Sequence, residues 1–230
     1  MLSYFDALEF IRERASKDGF TWNEVRPTFI VGLSPKLSLA TQSVGISLAT
    51  YANILKAQGK DLLYPGSEAS YNAKLNMCTS EKIAEVAVWS TQHPNNAYNV
   101  VSCPPFTWKE VWPQIAKWFG MKPVGPIRRY KGENSANVVG KDAPNLWASL
   151  QKKHELVPHQ FEALLNDDFL DKSFSAYFDS VFSVEKLKRD GFPADRIYEY
   201  TSVVELMYAF FNRLVDENVI PNPENVIAGS

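Results

Sequence analysis

Side chains able to do chemistry are thinly spread along this chain. His154 and His159 stand five apart with no convincing third ligand beside them, so a metal centre has little to build on. Asp167 and Asp168 are adjacent carboxylates. Such a pair can divide general acid–base work, although capping a helix or facing solvent is the commoner use. Cys78 and Cys103 lie far apart, at neither a redox nor a metal spacing, and read as reduced thiols of a cytoplasmic protein. The sequence holds no Gly-x-Gly-x-x-Gly, no Gly-x-x-x-x-Gly-Lys, no Gly-x-Ser-x-Gly and no His-Glu-x-x-His. A complete nucleotide enzyme or a serine hydrolase is therefore unsupported by motif.

The elements that would position a site are easier to read. Thr21–Pro35 joins Arg26-Pro27 to Phe29-Ile30-Val31 and turns at Gly32, the pattern of a strand bent at a proline and ended by a glycine. A helix over Tyr4–Ser16 precedes it, with Tyr4, Leu8, Ile11 and Ala15 on one face and Gly19 as its stop. Another helix, Ser38–Lys56, follows. Helix, apolar strand, helix is the order of a parallel α/β sheet, whose ligands bind at the carboxyl ends of the strands, so Pro27–Pro35 should line a site.

Further on, Thr79 or Ser80 caps a helix that runs out at His93-Pro94, and Tyr98–Val101 is a short strand. Thr107–Phe119 is the clearest helix: Thr107 and Glu110 form a capping box, and Trp108, Val111, Trp112, Ile115, Trp118 and Phe119 recur at helical spacing. That aromatic stripe reads as core rather than as a ligand platform. Met121–Asn145, rich in glycine and proline, is the loosest stretch and marks a boundary. It divides an α/β part, 1–120, from a mainly helical part, 121–230. Helices are expected at Leu146–Lys153, His159–Asn166, Phe169–Val184 and Thr201–Asp216, and a partly ordered tail from Val219.

Composition sets the class. With 230 residues, 45% hydrophobic and 13% aromatic, the chain can bury a sizeable core. A net charge of −2 and a pI near 6.0 give no electrostatic reason to expect nucleic acid; Arg128-Arg129-Tyr130-Lys131, the densest basic run, reads as a solvated loop. No window approaches the roughly 18 apolar residues of a membrane span, and no targeting segment is visible.

Taken together, Tyr4-x-x-x-x-Glu9, Gly19-Phe20-Thr21-Trp22-x-x-x-Arg26-Pro27-x-x-Ile30-x-Gly32-x-Ser34-Pro35, Tyr64-Pro65-Gly66 and Trp108-Lys109-x-x-Trp112-x-x-Ile115-Ala116-x-x-Phe119-Gly120 resemble the progesterone 5β-reductase/iridoid synthase-like short-chain dehydrogenases. Ala84-Glu85, Trp89, Ala97-Tyr98-Asn99-Val100, Trp147, Asp179-Ser180 and Lys188-x-x-Gly191-Phe192 extend the resemblance over almost the whole chain, which matches the C-terminal half of that family. Ser102-Cys103-Pro104 departs from the family's usual turn.

The resemblance implies an α/β fold, with a truncated Rossmann-like parallel sheet over 1–120 and a mainly helical substrate-pocket part over 121–230. It also implies an NADPH-dependent short-chain reductase of a small apolar enone or carbonyl compound in secondary or steroid/terpenoid-like metabolism. By it, Tyr4 is the tyrosine at the reacting oxygen, and Pro27 and Ile30 are the positions whose backbone nears the nicotinamide of NADPH. Leu33, Trp147 and Phe169 are expected to join Tyr4 and Pro27 around one apolar substrate cavity. The family's glycine fingerprint, its arginines for the 2′-phosphate and its assisting lysine have no counterpart here. A non-catalytic remnant, a binding subunit or an incomplete gene product therefore stands as the alternative. An uncovered strand edge at Thr21–Val31 is expected to recruit a second copy or a partner that completes the sheet.

Overall fold

A computed structural model describes residues 4–33, 43–127, 135–165 and 167–227, except the side chains of residues 136, 137 and 167–169. Helix α1 (Tyr4–Asp18) leads through Gly19, whose φ of +77° ends it, into β1 (Asn23–Pro27) and β2 (Phe29–Val31). The single strand expected over Thr21–Val31 is thus broken at Thr28. The two pieces serve different partners: β1 lies parallel to β6 (Asn96–Val100), with Asn23 opposite Asn96 and Pro27 opposite Val100. In turn β2 lies parallel to β5 (Met77–Thr79), with Phe29 opposite Met77 and Val31 opposite Thr79. Ser102 N donates to Met77 O at 2.9 Å, so the continuation of β6 runs beside β5. Both partners therefore sit on one side of the β1–β2 segment. Its other edge has no strand partner among the described residues.

Between these strands come α2 (Val44–Ala57), β3 (Leu62–Leu63), α3 (Glu68–Asn72), β4 (Lys74–Leu75) and α4 (Ser80–Ser90). Then follow β7 (Phe106–Thr107), α5 (Trp108–Trp118), β8 (Pro123–Val124), α6 (Ser135–Val139), α7 (Ala143–Lys153), α8 (Phe161–Leu164), α9 (Asp167–Ser173), α10 (Glu185–Arg189) and α11 (Val203–Asp216). The start of the helix expected over Ser38–Lys56 lies outside the described residues.

Two apolar clusters hold the chain together. The larger wraps α2, whose residues are buried on all sides, and draws on α5, α7, α9 and α11 from both sides of residue 120. The smaller joins Cys78, Val86, Tyr98 and Val100 to Leu187, Phe192 and Ile197, so that α4 and α10 cover the β1–β6 pair. The capping box on α5 forms as its sequence demands: Glu110 N donates to Thr107 Oγ1 at 3.3 Å and Thr107 N to Glu110 Oε2 at 3.0 Å. Trp108, Val111, Trp112 and Ile115 then fall on the core face.

Two helix expectations are corrected. The helix expected over Phe169–Val184 ends at Ser173, because Phe174 is wanted inside: fully buried, it packs at 5.2 Å on Tyr64 and 4.6 Å on Trp108. Gly66 permits this approach, since a Cβ there would lie 2.3 Å from Phe174 O. The helix of His159–Asn166 shrinks to Phe161–Leu164. Of the tail, Val219, Ile220 and Val226 are buried, and Val219 N donates to Leu214 O at 2.8 Å, while residues 228–230 lie outside the described residues. Apolar residues there outweigh the proline and asparagine around them.

Candidate functional site

The carboxyl ends of β2 and β5 come together where a parallel sheet would present a ligand. Thr79 ends β5 and caps α4: Lys82 N donates to its Oγ1 at 3.1 Å, and that hydroxyl donates to Glu199 at 2.6 Å. Ser102 Oγ accepts from Thr79 N at 2.9 Å. Across from it, β2 ends at Gly32, where a Cβ would stand 2.5 Å from Ser80 Oγ. Glycine is needed here so that β2 can approach the first turn of α4. Gly32 O in turn accepts from Ser43 Oγ at 3.5 Å, tying the strand end to the start of α2.

The sequence-expected site residues fall in three settings. Pro27 closes β1 opposite Val100, and Ile30 lies mid-β2 opposite Cys78, 39% exposed. Leu33 and Trp147 share the larger apolar cluster, Leu33 at its margin and Trp147 inside it on α7 at 1% exposure. The Trp147 indole N–H is buried without an acceptor among the described residues, as is the Thr50 hydroxyl on α2, the helix against which α7 packs. Phe169 belongs to α9 by its backbone, and its side chain lies outside the described residues. Tyr4 stands apart, 95% exposed at the start of α1 with no apolar wall around it. A surface groove of about 530 Å³ between α4 and the turn after α10, lined by Val88, Trp89, Phe192 and Arg196, includes none of these residues.

Sequence reading missed Thr79, Ser102 and Glu199, which lock the strand ends. Only Thr79 gave a signal, as a helix cap. Among the described residues no group of three or more His, Cys, Asp or Glu side chains could hold a metal. Burial lowers the pKa of both His154 and His159.

A dinucleotide pyrophosphate does not fit the residues present. Its cradle needs a glycine turn whose backbone is open to the ligand. At Gly32, the glycine that ends a parallel strand here, that space is filled by Ser80.

The sequence model of the PRISE-like Rossmann-fold domain matches residues 1–165. An (S)-8-oxocitronellyl enol synthase of Catharanthus roseus is 29% identical over 192 residues, covering 82% of this chain and 48% of its own length. One from Antirrhinum majus is 32% identical over 161 residues, 67% of this chain and 40% of its own. A 3-oxo-Delta(4,5)-steroid 5-beta-reductase of Arabidopsis thaliana is 28% identical over 164 residues, 69% of this chain and 41% of its own. The chain thus spans about half the length, or less, of these curated relatives. No helix among the described residues is long and apolar enough to cross a membrane. With its parallel strand pairs, its strand–glycine–helix order and this breadth of match, the chain belongs to the PRISE-like Rossmann-fold family.

Proposed function

We propose that this chain is the substrate-binding part of an NADPH-dependent reductase acting on a small apolar enone or carbonyl compound of steroid, terpenoid or other secondary metabolism. The observation that carries the reading is the extent of the likeness: enzymes named as enol synthases and as a steroid reductase align with 67% to 82% of the chain. Leu33, Trp147 and Phe169 supply apolar walls. The Trp147 N–H, buried without an acceptor among the described residues, supports this role, since a buried donor left free costs about 1–3 kcal/mol unless something, here a substrate oxygen, accepts from it. With NADPH held by another part of the fold, the Tyr4 hydroxyl would hold the reacting oxygen and give it a proton, Pro27 and Ile30 would flank the nicotinamide, and the cofactor would supply the hydride.

A second reading, a non-catalytic remnant, binding subunit or incomplete gene product, is favoured by the missing glycine fingerprint. One experiment separates the two. The chain is joined to the N-terminal half of the Antirrhinum majus relative, and NADPH oxidation is followed with a 3-oxo-Δ4,5-steroid and with a short apolar enone. Turnover is expected, and Tyr4→Phe should lower kcat by about two orders of magnitude or more, as for a lost proton donor. A folded, NADPH-binding fusion without turnover would establish the second reading, and unchanged turnover in the variant would remove Tyr4 from the chemistry.

A further inference from the structure

The groove between α4 and the turn after α10 combines apolar walls with an uneven set of charges. Val88, Trp89, Phe192 and Pro193 form its apolar part, Glu85 and Arg196 its polar part, and its volume of about 530 Å³ is that of a small-molecule site. Trp89 is fixed in place: its ring stacks on His93 at 4.1 Å and meets the Phe192 ring edge-on at 5.4 Å. Phe192 is buried, whereas Val88 is 71% exposed. Glu85 accepts from Lys82 Nζ at 2.5 Å and pairs with Arg196 as well, so one carboxylate answers two cations. The buried Lys82 also donates to Arg196 O at 2.7 Å, which pins the backbone that carries the guanidinium. The Arg196 side chain itself is 60% exposed, and a guanidinium has more N–H donors than one carboxylate oxygen can take. Glu81, Asp195 and Glu199 line an adjoining hollow rather than this groove; Glu81 is paired with Arg213 at 2.8 Å and Glu199 accepts from the Thr79 hydroxyl.

We propose that this groove is a ligand site of its own for a small apolar carboxylic acid, with the carbon skeleton against Val88, Trp89 and Phe192 and the carboxylate on Arg196. The apolar walls reward a hydrocarbon body by taking its surface out of water. The spare guanidinium donors then choose among such bodies. A carboxylate receives charge-assisted N–H bonds from them, a neutral compound leaves most of them unused, and an amine is repelled by Arg196 and by Lys82 behind it. The site goes beyond the reductase reading and does not depend on it, since none of Tyr4, Pro27, Ile30, Leu33, Trp147 or Phe169 lines the groove. It does share an element with the strand ends: α4, capped by Thr79 at the end of β5, supplies Glu85, Val88 and Trp89.

The test is a calorimetric titration of the 230-residue chain, at low salt, with hydrocinnamate and with its uncharged twin hydrocinnamamide. The acid should bind with a Kd of about 1 mM or tighter, and the amide about tenfold more weakly or worse. Arg196→Gln should bring the two to the same weak affinity. Val88→Glu, a change at an exposed wall position, should weaken the acid by about tenfold or more through like-charge repulsion, while the chain melts as before. The proposal is overturned if the acid does not bind at millimolar concentration or if acid and amide bind the native chain alike. It is overturned equally if Val88→Glu binds the acid as tightly as the native chain, for the acid would then be held elsewhere. None of these affinities is read through turnover, so a failed reductase reading would leave them standing.

Discussion

Two tryptophans buried to the same depth differ in one bond. Trp112 Nε1 donates to Leu62 O at 3.0 Å, whereas the Trp147 N–H finds no acceptor among the described residues. Replacing either by Phe removes similar volume, but Trp112→Phe also loses a buried hydrogen bond to the Leu62 carbonyl. It should cost about 0.5–1.5 kcal/mol more than Trp147→Phe in denaturant unfolding. Equal costs would mean that Trp147 has a hidden partner. The thiols lend themselves to a simpler test. Burial raises Cys78 and pushes Cys103 up to about 12, so neither should react with a disulfide reagent at pH 8 until denaturant is added. Asp190 responds in the opposite direction. Its bond from Lys186 at 2.8 Å, with those from Tyr98 and Arg189, holds it down at about 2. A carboxyl depressed from 3.8 stabilises the fold above that value and loses its contribution as pH falls towards 2. The melting temperature of the native chain should therefore drop over that window, and Asp190→Asn should flatten the drop.

Local order was legible where one short-range rule decides it. The Thr107–Glu110 box, the Thr79 cap and the α11 stripe from Val203 to Leu214 rest on contacts within a turn or two, and the sequence displays them directly. What escaped reading depends on distant residues. The Thr28 break arises because β5 and β6, nearly fifty and more than seventy residues on, divide the segment between them. Phe174 ends a helical pattern early because Tyr64 and Trp108 receive it. Of the expected site, the strand–glycine–helix end was visible in sequence. The expected convergence of Tyr4 with Leu33 and Trp147 is not seen among the described residues, where Tyr4 is 95% exposed at the start of α1.

For the molecule as a whole, the missing cradle has a direct readout. Calorimetric or fluorescence titration of the 230-residue chain with NADPH should show no low-micromolar binding, because the flank of β1–β2 lacks the turn that grips pyrophosphate. Tight binding would sink that argument. The buried tail reaches beyond ligands, into biosynthesis. Val219, Ile220 and Val226 plug the same apolar cluster that contains Val31 and Val44, so that cluster stays open until residue 226 has left the ribosome. The smaller cluster needs nothing past Ile197 and is complete earlier. A chain truncated after Ser202 should thus be cut by protease around α2 yet spared around α4, which makes residues 219–226 the stretch that decides whether α2 survives.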